Sequence, residues 1–294
     1  MVAVFLVLLF LTVSLVRSQA PEGATQKTFA SPEQAGTALL AAAQSGDRSA
    51  LIAIFGPDSS DVLFTKDAAV DKARLNSFVT AYNQMHRWQK IKAGGEVLQV
   101  GADNNPFPIP LGRKSSGQWY FDTAAGKDEI RARRIGGEEL TAMDAMEALA
   151  RAQQQYYQER HEYAQRFVSD PGTHNGLYWP AAQGEAPSPL GALGDFAKVQ
   201  SSGNAGSSTE FNGYRYRILT RGKTSKGTQD YIVNGKMTGG FAILAYPVNY
   251  RNSGITSFLV GPDGTVYQRD LGANTSGVAA VMTDYNPSAR NPLG

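Results

Sequence analysis

The chain has no cysteine. That removes disulfide bonds, lipid attachment through sulfur and any zinc site that needs thiolate ligands, while leaving an oxidising, extracytoplasmic destination allowed but not required. Histidine is also scarce. His86, His161 and His174 are the three present, and they share no metal-ligand spacing, so no metal site is expected. Charge is sparse at 18% of residues, with a formal net charge of +2, too weak a field to point to a nucleic-acid partner. No G-x-S-x-G elbow occurs, so the Ser, His and Asp residues do not assemble into a hydrolase triad by motif. Gly222, Lys223 and Thr224 resemble the end of a phosphate loop, but Arg217 stands where the leading glycine is required. Glu138 and Glu139 are adjacent and diverge by about 100° on a helix, which does not suit a paired acid and base. Neither a cofactor nor a catalytic residue is expected from these patterns.

What the chain does have is length and large side chains. Its 294 residues include 13 Phe, 13 Tyr, 3 Trp and 6 Met, enough to bury a core in one domain or two. The 31 glycines fall in turns and at strand ends. Residues 1–20, MVAVFLVLLFLTVSLVRSQA, form a targeting segment: Val2 to Leu11 are all apolar, the stretch is too short for a comfortable membrane span, and Ser18 and Ala20 are small residues ahead of a cut. An uncleaved N-terminal anchor is the alternative. The expected locale is therefore the periplasm or the extracellular space.

A first α+β region is expected over residues 29–137. Ser31, Pro32 and Gln34 carry the capping-box pattern of a helix start, and Asp47 caps a second helix that Gly56 and Pro57 end. Leu75, Phe78, Val79, Tyr82 and Met85 are spaced for a helix over Arg74 to Trp88. Glu96 to Val100 and Gln118 to Phe121 read as strands, and the Pro108 and Pro110 stretch between them as an edge or extended loop. Asp122 or Thr123 caps a further helix whose end carries Arg131, Arg133 and Arg134, complementing the backbone dipole. Gly136 and Gly137 then predict a turn. Across that bend Arg131 and Arg134 would meet Glu138 and Glu139, and the arginines are candidates for binding an anion there.

The second region, residues 138–292, opens on a long amphipathic pattern from Glu139 to about Phe167. Leu140, Met143, Met146, Leu149 or Ala150, Gln153, Tyr156 or Tyr157, Tyr163 or Ala164 and Phe167 recur at helical spacing. A Gly- and Pro-rich excursion follows, with Ser201 to Ser208 read as mobile. Within it Tyr178, Trp179 and Asn175 are the binding candidates, because loops on a rigid scaffold often carry recognition residues; core packing is the competing reading for the two rings. Strands are expected over Tyr214 to Thr220, Asp230 to Val233, Phe241 to Tyr246, Thr256 to Val260 and Thr265 to Asp270. Asn234 and Gly235 give the strongest hairpin signal. The overall class is α+β: N-terminal helices with a small antiparallel sheet, then a long helix packed on a C-terminal antiparallel meander.

The stretches FDTAAGKDEIRARRIGGEEL at 121–140, DPGTHNGLYWPAAQGEAPSPLG at 170–191 and GFAILAYPVNYRNSGITSFLVGPDGTVYQRDLG at 240–272 together resemble the bacterial secreted family termed domain of unknown function 2950. The resemblance implies an envelope compartment and no particular reaction. Residues 147–270 also resemble the globular heads of type IV pilins and type II secretion pseudopilins. The hydrophobic N-terminal segment is separated from the long helix by more than a hundred residues, and the basic prepilin leader is absent, so that second resemblance extends to a head-like fold and not to filament assembly. The expected function is a structural or protein-interaction role in the cell envelope. The alternative is a cell-wall hydrolase or an accessory domain that binds a cell-wall glycan or peptide.

Overall fold

The computed structural model describes residues 26–92, 94–191, 208–224, 227–286 and 291–292. The expected targeting segment at 1–20 and most of the Ser201 to Ser208 stretch lie outside them. Helices and antiparallel sheets make an α+β protein, and the boundary between two compact units falls after Lys127. Among the described residues no helix is long and apolar enough to cross a membrane.

In the first unit the caps act as the sequence predicts. Ser31 Oγ accepts from the Gln34 N–H at 3.3 Å and Gln34 Oε1 accepts from the Ala30 N–H at 3.3 Å, opening α1 (Pro32–Ser45). Asp47 Oδ1 accepts from the N–H groups of Ser49 and Ala50 and opens α2 (Arg48–Phe55). A short α3 (Ser60–Leu63) follows. The helix expected over Arg74 to Trp88 is displaced. As α4 it spans Ala68–Gln84, because Asp67 Oδ1 caps the N–H groups of Ala69 and Val70. It stops where Met85 turns extended, and Trp88 lies instead in β1 (His86–Lys90), paired with β2 (Glu96–Val100) through Trp88 opposite Leu98. A hydrogen-bond ladder to an adjacent strand outweighs a helical side-chain pattern there. Strands β3 (Asn105–Pro106), β4 (Leu111–Arg113) and β5 (Trp119–Phe121) complete the sheet. Phe29, Phe55 and Phe121 meet edge-on or tilted in the core, the last two at 4.8 Å between centroids.

Helix α5 runs unbroken over Thr123–Arg160. The turn predicted at Gly136 and Gly137 is therefore not formed. Two glycines weaken a helix by about 1 kcal/mol each relative to alanine, and side-chain anchors on both sides of the pair, from Arg134, Glu138 and Glu139, offset that weakness. The helix also ends earlier than its apolar pattern, which runs on to Phe167. His161 adopts a left-handed φ of 56°, and the chain leaves the helix while Tyr163 and Phe167 still pack inward. The buried face of α5 is Ala142, Ala145, Met146, Leu149, Ala150, Gln153 and Tyr156, whereas Leu140, expected on it, is 60% exposed. Small alanines let the helix approach closely, so the stripe lies partly round the helix from the one drawn through its largest residues.

The second unit's main sheet is antiparallel, in the order β16 (Asn291–Pro292), β14 (Val266–Asp270), β13 (Thr256–Val260), β12 (Ala242–Pro247), β7 (Tyr214–Leu219), β6 (Ser208–Phe211). Ile243 of β12 stands opposite both Ile218 and Val260, and these residues share one core with the alanine face of α5. Strands β8 (Arg221–Thr224), β9 (Gly227–Asp230) and β15 (Asp284–Tyr285) make a smaller sheet in which β15 pairs in parallel with β8. The hairpin of β10 (Ile232–Val233) and β11 (Lys236–Met237) turns on Asn234 and Gly235 at φ 51° and 81°, the two left-handed residues a type I′ turn needs. Helix α6 (Thr275–Val281) closes on Arg217, whose guanidinium donates to the carbonyls of Ala279, Ala280 and Met282.

Candidate ligand-binding site

The loop after α5 is held by side-chain bonds to its own backbone. Asn175 Oδ1 accepts from the Asp170 N–H at 3.0 Å and the Thr173 hydroxyl at 2.9 Å, and its amide donates to Asp170 Oδ2 at 2.8 Å. Asn175 is thus an internal brace. Tyr178 bridges in parallel to Val168 through its main chain, and its half-buried ring packs on the core. Trp179 is 7% exposed, so it does not form the exposed surface the loop composition suggested. The His174 ring stacks over it at 4.4 Å between centroids, His174 Nε2 lies 2.8 Å from Glu185 Oε1, and the Tyr156 hydroxyl donates to the His174 carbonyl at 2.9 Å. Among the described residues the Trp179 Nε1–H has no hydrogen-bond partner.

The two candidate arginines have separate attachments. Arg131 pairs with Asp128 at 2.8 Å on an exposed helix face. Arg134 donates to both the carbonyl and the side-chain oxygen of Asn252, at 2.8 and 2.5 Å. One turn on, Glu139 Oε1 accepts from the N–H groups of Ile255 and Thr256, each at 2.9 Å. Together Arg134 and Glu139 fasten the 249–256 loop to α5. Tyr214 reinforces it from the sheet: its hydroxyl donates to the Thr256 carbonyl at 2.8 Å, and Gly254 has no Cβ because one would lie 2.1 Å from that hydroxyl. Burial, then the charge of Glu139, pushes the Tyr214 hydroxyl far above its ordinary range.

This fastening shapes a shallow cavity, widely open to solvent, of about 430 Å³. The end of the β6–β7 hairpin, from Glu210 to Gly213, makes one wall, and Val248, Asn249 and Ser253 make the other. The hairpin turns on Asn212 and Gly213 with φ of 44° and 74°, a second type I′ turn on Asn-Gly. Glycine is required here twice over. A Cβ on Gly213 would also sit 2.5 Å from Glu138 Oε2 and 2.9 Å from Ser253 Cβ. Glu138 Oε2 therefore packs against the Gly213 backbone, behind the residues that line the cavity. Among the described residues this oxygen is buried without a hydrogen-bond partner, and Arg134 Nε is 3.9 Å from Glu138 Oε1. Burial pushes the Glu138 carboxyl above the usual carboxylate range, with Arg134 acting in the opposite direction. Glu210 on the rim pairs with Arg215.

None of these cavity residues was a candidate from sequence. Asn212 and Gly213 carried the same dipeptide signal as Asn234 and Gly235; Glu138 carried none, since its burial arises from a turn 75 positions away in the chain. The divergence expected of Glu138 and Glu139 is what separates their roles: one grips backbone donors and the other has an oxygen without any.

No curated protein and no solved structure matches this chain. A family model described as "Protein of unknown function (DUF2950)" matches residues 26–291, nearly the whole chain, and the protein belongs to that family.

Proposed function

We propose that this protein is an exported component of the cell envelope that acts by binding, in a structural or protein-interaction role. Export rests on the apolar run of residues 1–20 and the small residues at Ser18 and Ala20. The observation that carries the binding role is the cavity at the Asn212–Gly213 turn. Its volume suits a small ligand or the anchor residue of a larger one; the 249–256 wall is tied to α5 by Arg134 and Glu139, and the two walls are joined by the Val248 N–H donating to the Gly213 carbonyl. A helix beside an antiparallel sheet also supports the pilin-like description of the second unit as a head-like fold, without filament assembly.

A narrower reading, an accessory domain for a cell-wall glycan or peptide, is favoured by the rim. Asn212, Asn249 and Glu210 line the depression together with Phe211, the mixture of aromatic and polar residues that such ligands use. Fractionation tests the compartment. The protein is expected outside the cytoplasm, cut near Ala20 or still anchored; full recovery from the cytoplasm with residues 1–20 intact overturns export.

A further inference from the structure

We infer that β1, the outer strand of the first unit's sheet, takes up an extended acidic segment of a partner protein as a further strand. It would act whether or not the cavity of the second unit holds a ligand. β1 pairs with β2 along one side, in an unbroken register of five residue pairs. The Gly101 N–H donates to the Met85 carbonyl and the Ile91 N–H to the Gly95 carbonyl, so the bonds of this ladder fall on Met85, Arg87, Gln89 and Ile91. The alternation of an antiparallel pair then turns the N–H and C=O groups of His86, Trp88 and Lys90 outward. Among the described residues these groups have no backbone partner, and every residue of the strand but Trp88 is exposed. The opposite edge of the same sheet is closed: Phe29 exchanges both N–H···O bonds with Trp119 of β5, at 2.9 and 2.8 Å.

Open backbone groups on an edge pair with any strand that reaches them, and the side chains decide which one does. His86 to Lys92 contains Arg87, Lys90 and Lys92 and no acidic residue. Arg87 and Lys90 are exposed and make no ion pair among the described residues, although Glu96 of β2 stands opposite Lys90 in the register. Two copies of β1 would bring these cations to one seam, which opposes self-pairing. An acidic segment meets the opposite balance. Arg87 and Lys90 lie on opposite faces of the strand, so an antiparallel partner matches them with acids three residues apart and sets an apolar side chain opposite Trp88. The edge is also held ready. The His86 ring stacks on Tyr82 of α4 at 3.9 Å between centroids, and Trp88 packs beside Gly36 of α1, where a Cβ would lie 3.4 Å from its ring.

The test is a titration of the full exported chain with the blocked peptide acetyl-Glu-Thr-Val-Glu-Thr-amide, followed by amide shifts and amide hydrogen exchange along β1. One control peptide replaces Val by Pro, which removes the N–H that faces the Trp88 carbonyl; the other replaces both Glu by Lys. Saturable shifts are expected, with exchange slowed at His86, Trp88 and Lys90 and unchanged at Arg87 and Gln89, which the β2 ladder already protects. Binding should be absent with both controls and weakened about fivefold in the double variant Arg87→Gln, Lys90→Gln. Shifts without this alternating slowing, or equal binding of the proline control, overturn strand addition. Equal binding of the lysine control, or unweakened binding by the double variant, overturns the acidic partner. Concentration-dependent slowing at the same amides without peptide assigns the edge to a second copy of the chain and overturns the inference, as does the absence of any shift with the acidic peptide.

Discussion

Gln153 forms a closed pair of hydrogen bonds with the backbone of Ala164: its amide donates to the Ala164 carbonyl and its Oε1 accepts from the Ala164 N–H, both at 2.8 Å. Gln153 is completely buried, so the side chain acts as a short strand for a segment that has left the helix. Replacing it by Met keeps the volume and leaves two buried backbone groups unpaired. A loss of about 1–3 kcal/mol for each group is expected, read from urea unfolding. An unchanged midpoint would mean that water takes over both bonds.

Gly136 and Gly137 lie inside α5, with nothing within 4 Å of a Cβ placed on either. Gly136→Ala and Gly137→Ala should therefore each raise stability by about 0.5–1 kcal/mol. Thermal unfolding checks this. Destabilisation by either would show that the helix bends there in solution.

Trp179 fills space under His174, and its Nε1 makes no bond. Trp179→Phe should change stability by less than about 1.5 kcal/mol, whereas Trp179→Ala should lose about 3–5 kcal/mol. If the Phe variant loses as much as the Ala variant, the indole N–H has a partner after all.

These relationships also mark how far the sequence could be read. Ser31 with Gln34, Asp47, and Asn234 with Gly235 were legible because each is a contact within a few residues, where local geometry decides the partner. β12 and β13 were legible as short continuous apolar runs, buried along nearly their whole length and bounded by turn residues. The end of α5 was not, since Tyr163 and Phe167 keep the helical spacing while Gln153 captures the chain eleven residues on. Trp88 was misplaced because its strand partner Leu98 leaves no mark on the residues around it. The cavity was half legible. Asn212 and Gly213 announce a turn, but only the fold sets Val248, Asn249 and Ser253 opposite it.

Glu138 and Glu139 offer the most direct measurement. Glu139 holds two N–H groups, and Glu139→Gln should weaken the fold by about 1.5–3 kcal/mol. Glu138 contributes in the opposite sense. Its folded pKa is raised by burial, opposed by Arg134, and the remaining ionisable neighbours are Glu139 and Tyr214. The folded state therefore holds the Glu138 proton more tightly than the unfolded chain, and stability falls as pH rises from the ordinary carboxyl value of 4.5 through the raised one. Unfolding free energies of the wild type, Glu138→Gln and Glu139→Gln across that interval and up to neutral pH decide the matter. The account predicts that Glu138→Gln loses this fall and is at least as stable as the wild type at neutral pH, while Glu139→Gln is weaker. A Glu138→Gln protein less stable than the wild type at neutral pH would show that the carboxylate serves the fold, and would contradict burial as the main influence on it.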